Sequence, residues 1–451
     1  MTVTSTIRIA ALTGLLAVLG AMPFAANAQD STPGAEAEAA ALPGPAEAAP
    51  QPSYDTLRVV EGTSALPYHV WIDWLPAVVT TPDGGGWTFF GAQARAEEGL
   101  GPRQLWASRF DPVAGVWLPA FPVPGGQAQF GPAAAVDGTG VVHLVYADVE
   151  DVNAKASTLV HVAIQPDGTW SDPTPIAPSE DAGFQMMPSL AIDAENVVHV
   201  VWRDQRFVSG DDRDSHPANA DLLSAEFADG AWSSPLRVME RDDAHVVTWP
   251  HVVVDGDRLI AVWSVYGGTD DESMKSAMRI DWASKPLASD AAWSAPAAAV
   301  EKSEGSIGGR QVELVEQPDG GAILLYGVYE RAKNDLRRMS MASGAESWGE
   351  ASSVFVGDYG YMPDAVVGAD DALTIVFNIG RNKNLEVGAT VVDADGVGSP
   401  AVSLTPAEAG LQGRASVALT EDGVPWVVYM HQPDDETAAT EIRALRGAVL
   451  K

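Results

Sequence analysis

Short apolar runs recur along this chain at nearly even spacing, and each carries an aromatic residue near its end. The runs are GWTFFGAQ (86–93), VVHLVYAD (141–148), VVHVVWRD (197–204), LIAVWSVY (259–266), AILLYGVY (322–329), LTIVFNIG (373–380) and PWVVYMHQ (425–432). Their aromatics are Phe90, Tyr146, Trp202, Trp263, Tyr326, Phe377 and Tyr429. Before each comes a turn, and before the turn a first apolar run, starting at Pro76, Pro132, Pro188, Pro250, Arg310, Pro363 and Arg414. Third runs follow, from RQLWASRF (103–110) to TEIRALRG (440–447), and five lead into a turn holding Trp117, Trp170, Trp232, Trp293 or Trp348. Apolar runs of this length, rich in β-branched and aromatic residues and bounded by turn residues, predict strands buried on both faces. No segment has the length and periodicity of an amphipathic helix.

Seven copies with first strands 51 to 62 residues apart predict a repeat architecture. Short fourth strands, such as PLRVM (235–239) and AVSLT (401–405), close six units. The seventh runs out of chain after its third strand. Near the start, LRVVE (57–61) resembles LRVME (236–240), a fourth strand of the third unit. The expected fold is therefore all-β: a seven-bladed β-propeller of four-stranded antiparallel blades over 54–451, closed by the N-terminal strand 57–61 in the last blade.

Turns such as QPDGTW (165–170) and FADGAW (227–232), and the P-x-x-A-x-D…VH-x-VW-x-D rhythm of 188–204, resemble the BNR or Asp-box (sialidase-like) β-propellers in degenerate form. The likeness covers nearly all of 54–451, but no turn carries the full Ser-x-Asp-x-Gly-x-x-Trp pattern. It implies an arginine cluster gripping a sugar carboxylate, a tyrosine nucleophile with a glutamate, and an aspartate acid/base, tyrosine being an exception to the usual carboxylate nucleophile. The match fails at the N-terminal Arg-Ile-Pro motif, where this chain reads LRVVEGTS, and at the aspartate acid, to which no residue aligns.

Composition changes the picture at the ends and for partners. Arg8, the apolar run 9–20 and Ala26-Asn27-Ala28 read as a cleavable signal peptide over 1–28. Residues 29–53, rich in Ala, Pro and Glu, read as a flexible linker. Export to the periplasm or the medium is expected, and with no cysteine the chain has neither a lipid-anchored cleavage site nor a disulfide. The net charge of −34 becomes −35 without 1–28. Such a field disfavours nucleic acid and anionic membrane surfaces as partners.

A residue shared by the units is architectural, and one that breaks the repeat needs its own explanation. His143 and His199 share a register with Trp87, Ile260, Ile323, Thr374 and Trp426, so they read as packing residues. Arg310 and Arg414 stand where other units have proline, and a planar guanidinium there suits a carboxylate or sulfate; the plainer alternative is a pairing that locks blades together. The exits of the second strands lie at the same mouth and add Asp148, Arg203, Asp204, Arg206, Tyr266, Tyr329, Glu330, Arg381 and His431, with Tyr359 and Tyr361 nearby. From these, His431, Tyr361 and Tyr329 are the catalytic candidates. Arg310, Arg414, Arg381, Arg206, Asp204, Asp148 and Tyr266 are the ligand-binding candidates. No cofactor is expected. Asp211, Asp212, Asp214 and His216 supply oxygen and nitrogen ligands that calcium could use, but their spacing is not an EF-hand and a solvated loop is the simpler reading.

Two functions follow. One is a glycoside hydrolase or lyase acting on an anionic glycan at the channel mouth, the lyase form using His431 or a tyrosine as base beside arginines that neutralise a uronate. The alternative is a non-catalytic propeller binding a glycan or a protein partner there.

Overall fold

The computed structural model describes residues 55–58, 68–70, 76–96, 99–126, 128–150, 156–179, 183–208, 219–241, 245–267, 277–288, 290–301, 306–330, 333–357, 361–380, 385–405, 410–433 and 441–447. Their strands form seven antiparallel sheets, one per sequence repeat. Each inner strand packs against the inner strands of both neighbouring blades, from the first round to the seventh and back, so the sheets make a propeller ring.

The second strands explain why the apolar runs had no polar face. Every residue of Val198–Asp204 is buried, because neighbouring blades cover both sides of the strand. The recurring aromatics Phe90, Tyr146, Trp202, Trp263, Tyr326, Phe377 and Tyr429 are fully buried between blades, where large flat side chains fill the wedge. At the outer end of the last blade, Asp55–Arg58 pairs antiparallel with Glu441–Arg446, Leu57 lying opposite Ala444. The strand thus begins earlier than the expected 57–61, and 59–61 lie outside the described residues.

Inner strands also begin earlier than their prolines. Ala128–Val136, Gln185–Ile192, Val246–Asp255, Tyr361–Val367 and Leu411–Leu419 each carry a register shift within their first three residues. The residue after the shift pairs with the one before the aromatic: Ala133 with Val145, Ser189 with Val201, His251 with Val262, Asp364 with Val376, Ser416 with Val428. In this register Ala415, not Arg414, takes the proline's place. In the fifth blade Val312 pairs opposite Tyr326, so Val312 takes that place, and Arg310 falls inside a wider bulge between Ile307 and Val312. The alignment of Arg310 and Arg414 with the prolines is corrected by these pairings. Four of the residues before a proline or its substitute, Met187, Trp249, Met362 and Arg414, have φ of 52 to 55°, and Gly131 has 63°.

The opposite ends of the blades are tied by turn aspartates. Buried Asp255 accepts from Gly321 N (2.6 Å), Ser343 Oγ (2.8 Å) and Gly344 N (3.1 Å) of the next blade, and from Arg258 Nε (2.8 Å). Burial alone would raise its pKa, but these bonds hold it below the ordinary value. His143 and His199 belong to this end too. Asp193 Oδ2 lies 3.0 Å from His199 Nε2 and Asp137 Oδ2 3.4 Å from His143 Nε2. They therefore anchor turns as well as pack. Asp255→Ala strands several buried donors at a blade interface, and is expected to lower the unfolding free energy by about 3 kcal/mol or more. A urea-denaturation midpoint unchanged from wild type would contradict this.

Candidate functional site

The inner strand of each blade is a sheet edge facing the channel. The residue paired with the one before each recurring aromatic forms one level around it: Ala77, Ala133, Ser189, His251, Glu313, Asp364 and Ser416. Blades 1 and 2 carry alanine there, and blades 3 to 7 carry polar groups. His251 Nδ1 lies 3.3 Å from Glu313 Oε1. Asp364 Oδ2 accepts from Ser416 Oγ (2.5 Å) and from Val417 N (2.9 Å). Ser189 Oγ accepts from Val252 N at 3.1 Å, the same contact made between blades 3 and 4. Side chains at this level thus reach the backbone of the next blade as well as lining the channel.

The electrostatics set the three charged residues apart. Burial pushes the Asp364 carboxyl up to about 7, with the Glu313 charge adding to it, against the lowering bonds from Ser416, Val417 and Ala365. For His251, burial acts to lower the pKa, but the Glu313 carboxylate, through charge and hydrogen bond, and the Asp364 charge raise it overall. The cluster therefore holds an acid that keeps its proton near neutrality beside a carboxylate joined to a histidine. That is the pairing of unlike titrating groups expected of acid–base chemistry. Among the described residues, no group of three or more His, Asp or Glu is arranged to hold a metal ion.

Two residues earlier, the left-handed positions make a rim above this shelf. Met187, Trp249, Met362 and Arg414 are half-buried there. The rim is fixed by its neighbours. Thr248 Oγ1 lies 3.1 Å and Arg203 Nη1 3.4 Å from Met187 Sδ, and Asn378 Oδ1 accepts the Arg414 N–H at 3.0 Å.

Several residues singled out in the sequence lie at this mouth and are bonded into the scaffold. Asp148, Asp204 and His431 are register equivalents, lying opposite Gln129, Gln185 and Gln412. Gln185 Nε2 donates to Asp204 Oδ2 (3.0 Å), and its Oε1 accepts from Leu159 N of the preceding blade (2.9 Å). Gln129 Oε1 accepts from Leu105 N in the same way, and Asp148 Oδ1 accepts from Gly126 N (2.8 Å). Burial raises the Asp148 pKa. Gln412 Nε2 lies 3.2 Å from His431 Nδ1, and both residues are buried. His431 thus stands where other blades carry aspartates, at an exit position that belongs to an inter-blade lock in the blades of Asp148 and Asp204. Arg206 is held there too: its Nε and Nη2 donate to Asp204 Oδ1 (3.0 Å) and Oδ2 (2.8 Å), and Nη2 to Ala177 O (2.8 Å). Tyr266 is buried beside Arg203, whose pKa is pushed down to about 10 by burial and held up by the Tyr266 charge.

The backbones of Arg310, Tyr329 and Tyr361 end at this mouth, Tyr361 pairing with Asn378 and Tyr329 with Ser306, while their side chains lie outside the described residues. Tyr359, Arg381, the acidic segment 211–216 and residues 1–53 also lie outside them. The structure thus brings together His251, Glu313 and Asp364, which sequence reading missed, while Arg414 from the sequence list lies on the rim two residues before Ser416 of the same level. The signal was a column: the residue after each proline runs Ala, Ala, Ser, His, then Glu, Asp, Ser once the fifth and seventh units are correctly registered.

No protein-family model matches this chain, and no curated protein does. Solved structures do. A protein of unknown function from Dyadobacter fermentans aligns at TM-score 0.52 with 14% identity, over 88% of this chain and 99% of that one. A polysaccharide lyase of family PL25, an ulvan lyase, aligns at TM-score 0.54 with 11% identity, over 83% and 93%. A fungal alcohol oxidase of the AA5 family in complex with copper aligns at TM-score 0.52 with 11% identity, over 88% and 76%. At these identities the likeness is one of fold. A microbial sialidase aligns at TM-score 0.46.

A raised carboxyl pKa makes a pH prediction. Between its ordinary value of 3.8 and about 7, Asp364 binds more proton in the folded chain than in the unfolded one. Stability then falls as pH rises through that window, by on the order of 4 kcal/mol in full. Asp364→Asn keeps an acceptor for Ser416 and is expected to flatten this slope in thermal melts between pH 4 and pH 7.5, roughly the window of the shift. A wild-type slope retained by the variant would show that Asp364 is not its source.

Proposed function

We propose that this propeller acts on a carbohydrate at the upper mouth of its channel, as a glycan-cleaving enzyme for carboxylated chains. The observation that carries the reading is the His251–Glu313–Asp364 cluster, contributed by three successive blades at one level of the channel. Asp364, held protonated near neutrality, is suited to give its proton to a glycosidic oxygen. Glu313, paired with His251, is suited to take a proton from water on the other side of the bond or to attack directly. Arg414 on the rim above is the cation suited to a sugar carboxylate. A lyase and its complex with -[GlcA(1-4)Rha3S]- share the fold, which supports a glycan as the ligand class without fixing the reaction. The signal-like N-terminus supports action after export.

A second reading has an observation of its own. Asp364 accepts the Val417 N–H as Ser189 accepts the Val252 N–H. If that lock is the whole role of the cluster, the mouth binds a glycan or a protein partner without cleaving it.

Substitutions that keep shape separate the two. Purified protein is incubated with uronate polysaccharides and sialosides, and products are read by mass spectrometry. On the cleaving reading, Glu313→Gln and Asp364→Asn lose roughly 10²–10⁴-fold in turnover while keeping their fold. Arg414→Ala raises KM selectively for carboxylated chains. His431→Gln and Asp204→Asn, which act on blade locks, lower Tm rather than the rate of the folded enzyme. Glycan binding by the wild-type protein with no product formed would leave the binding reading in possession, and turnover that survives both Glu313→Gln and Asp364→Asn would overturn the cluster as the catalytic group.

A further inference from the structure

At the end of the ring opposite the mouth, two neighbouring blade junctions can be compared position by position. In blade 7 Trp426 pairs opposite Arg446, and in blade 1 Trp87 pairs opposite Arg109. Both guanidinium groups lie over the indole, 5.5 and 5.7 Å from the ring centroid. The blade that follows differs. Blade 1 sets Phe110 edge to face against Trp426, with centroids 4.3 Å apart. Phe110 pairs with Gly86 and Ile164 with Val142, so the register equivalent of Phe110 in blade 2 is the smaller Ile164. Between blades 1 and 2 there is an open cleft of about 180 Å³. Trp87, Val142, Pro82 and Pro166 give it apolar surface, and Arg109 and Asp83 give it charge. Arg109 Nη2 donates to Pro166 O at 3.2 Å and lies 3.7 Å from Asp83 Oδ2. Among the described residues, none accepts from its Nε or Nη1. Asp83 Oδ1 is occupied by Thr81 Oγ1 (2.5 Å) and Gly85 N (3.0 Å), which leaves Oδ2 on the side of Arg109.

We propose that this cleft is a second carbohydrate site, on the face opposite the channel mouth, which holds one neutral pyranose residue through adjacent hydroxyls bonded to Arg109 and Asp83. It stands apart from the reading of the mouth and does not depend on it. The size suits a single ring, since a closed cavity of ~150 Å³ holds one benzene. A hydroxyl oxygen accepts from the open side of the Arg109 fork, and the neighbouring hydroxyl donates to Asp83 Oδ2, both bonds being charge-assisted. The C–H groups of the ring then lie against the prolines and the indole edge. Charge selects a neutral ligand. Thr81 first, then Gly85 and Arg109, keep Asp83 ionised below its ordinary range. Asp167, held low mainly by Thr169, also lies in the Arg109 field. An anionic group here meets two carboxylates around one cation, in a protein of net charge −34. On a polymer that mixes neutral and acidic sugars, the cleft adds a second point of attachment.

Two variants test the cleft. Arg109→Lys keeps the charge and a donor for Pro166 O but removes the planar fork. Gln165→Trp fills the cleft from an exposed turn position on its border, where the turn bonds are made by the Gln165 backbone. Binding of a panel of neutral methyl hexopyranosides and of methyl glucuronide is measured on the whole protein by saturation-transfer NMR, with thermal melts alongside. At least one neutral hexoside is expected to bind the wild type. Arg109→Lys is expected to weaken it by roughly tenfold, and Gln165→Trp to abolish it, with the Tm of Gln165→Trp unchanged. If no neutral hexoside binds, or if binding survives in Gln165→Trp, the cleft is not a sugar site, whatever the mouth does. If methyl glucuronide binds as well as the hexosides and is lost in Gln165→Trp, the neutral class is wrong.

Discussion

Each blade of this ring ends at the axis in a strand that has a hydrogen-bonding partner on one side only. The free N–H and C=O groups of that edge face a narrow channel, where leaving them unmet is costly and pairing them with another strand is geometrically closed. The chain meets this constraint in two ways. Proline removes a donor at Pro132, Pro188, Pro250 and Pro363, in the edge-strand bulges where proline is permitted. Side chains at the next position cap the neighbouring edge, as Ser189 does for Val252 and Asp364 for Val417. Glutamines at the inner-strand entrances, Gln129 and Gln185, then lock blade to blade by taking the N–H of Leu105 and Leu159 on the third strand of the preceding blade.

Those solutions create the functional geography. A bulge that accommodates proline turns the residue before it into the left-handed region, and that residue becomes the rim. Capping of the edge puts polar groups at one level of the channel, and that level becomes the shelf. Once polar groups are required there, changing serine to histidine, glutamate or aspartate on three adjacent blades converts a structural device into a cluster with unlike proton affinities. The cost is visible in Asp364, whose ionised form is disfavoured by burial and by Glu313. Uniform serine would cap the edges without it, so the charged residues point to a use beyond capping.

The same constraint explains why reactive-looking residues can be inert. Asp204 and Arg206 form a two-pronged pair, but the carboxylate also accepts from Trp202 Nε1 at 2.9 Å and from Gln185, which fixes both in the wall. Lys285 is fully buried against Glu226, with His199 on the same carboxylate. These are interior charges satisfied by partners, and their burial between blades removes them from any ligand's reach. An ulvan lyase and an alcohol oxidase built on the same ring show that the blades leave the chemistry open.

The sequence by itself determined the architecture, because burial on both faces imposes continuous apolar strands and the ring imposes their repetition. Seven aromatic-bearing runs, their turns and the Asp55–Arg58 partner of the last blade were legible from that pattern alone, the last with a shift of two residues. The sequence also placed Arg414 at the mouth. Tertiary structure decided the rest. Register across a bulge is set by which N–H finds a partner, so Arg310 and Arg414 could not be aligned by counting from prolines. The partner of His431 is a glutamine on another strand, and only pairing shows that Asp148 and Asp204 are its equivalents. His251, Glu313 and Asp364 stand more than 50 positions apart in sequence. They meet because closing the ring carries one column of each inner strand to the same height around a common axis, a relation no local pattern encodes.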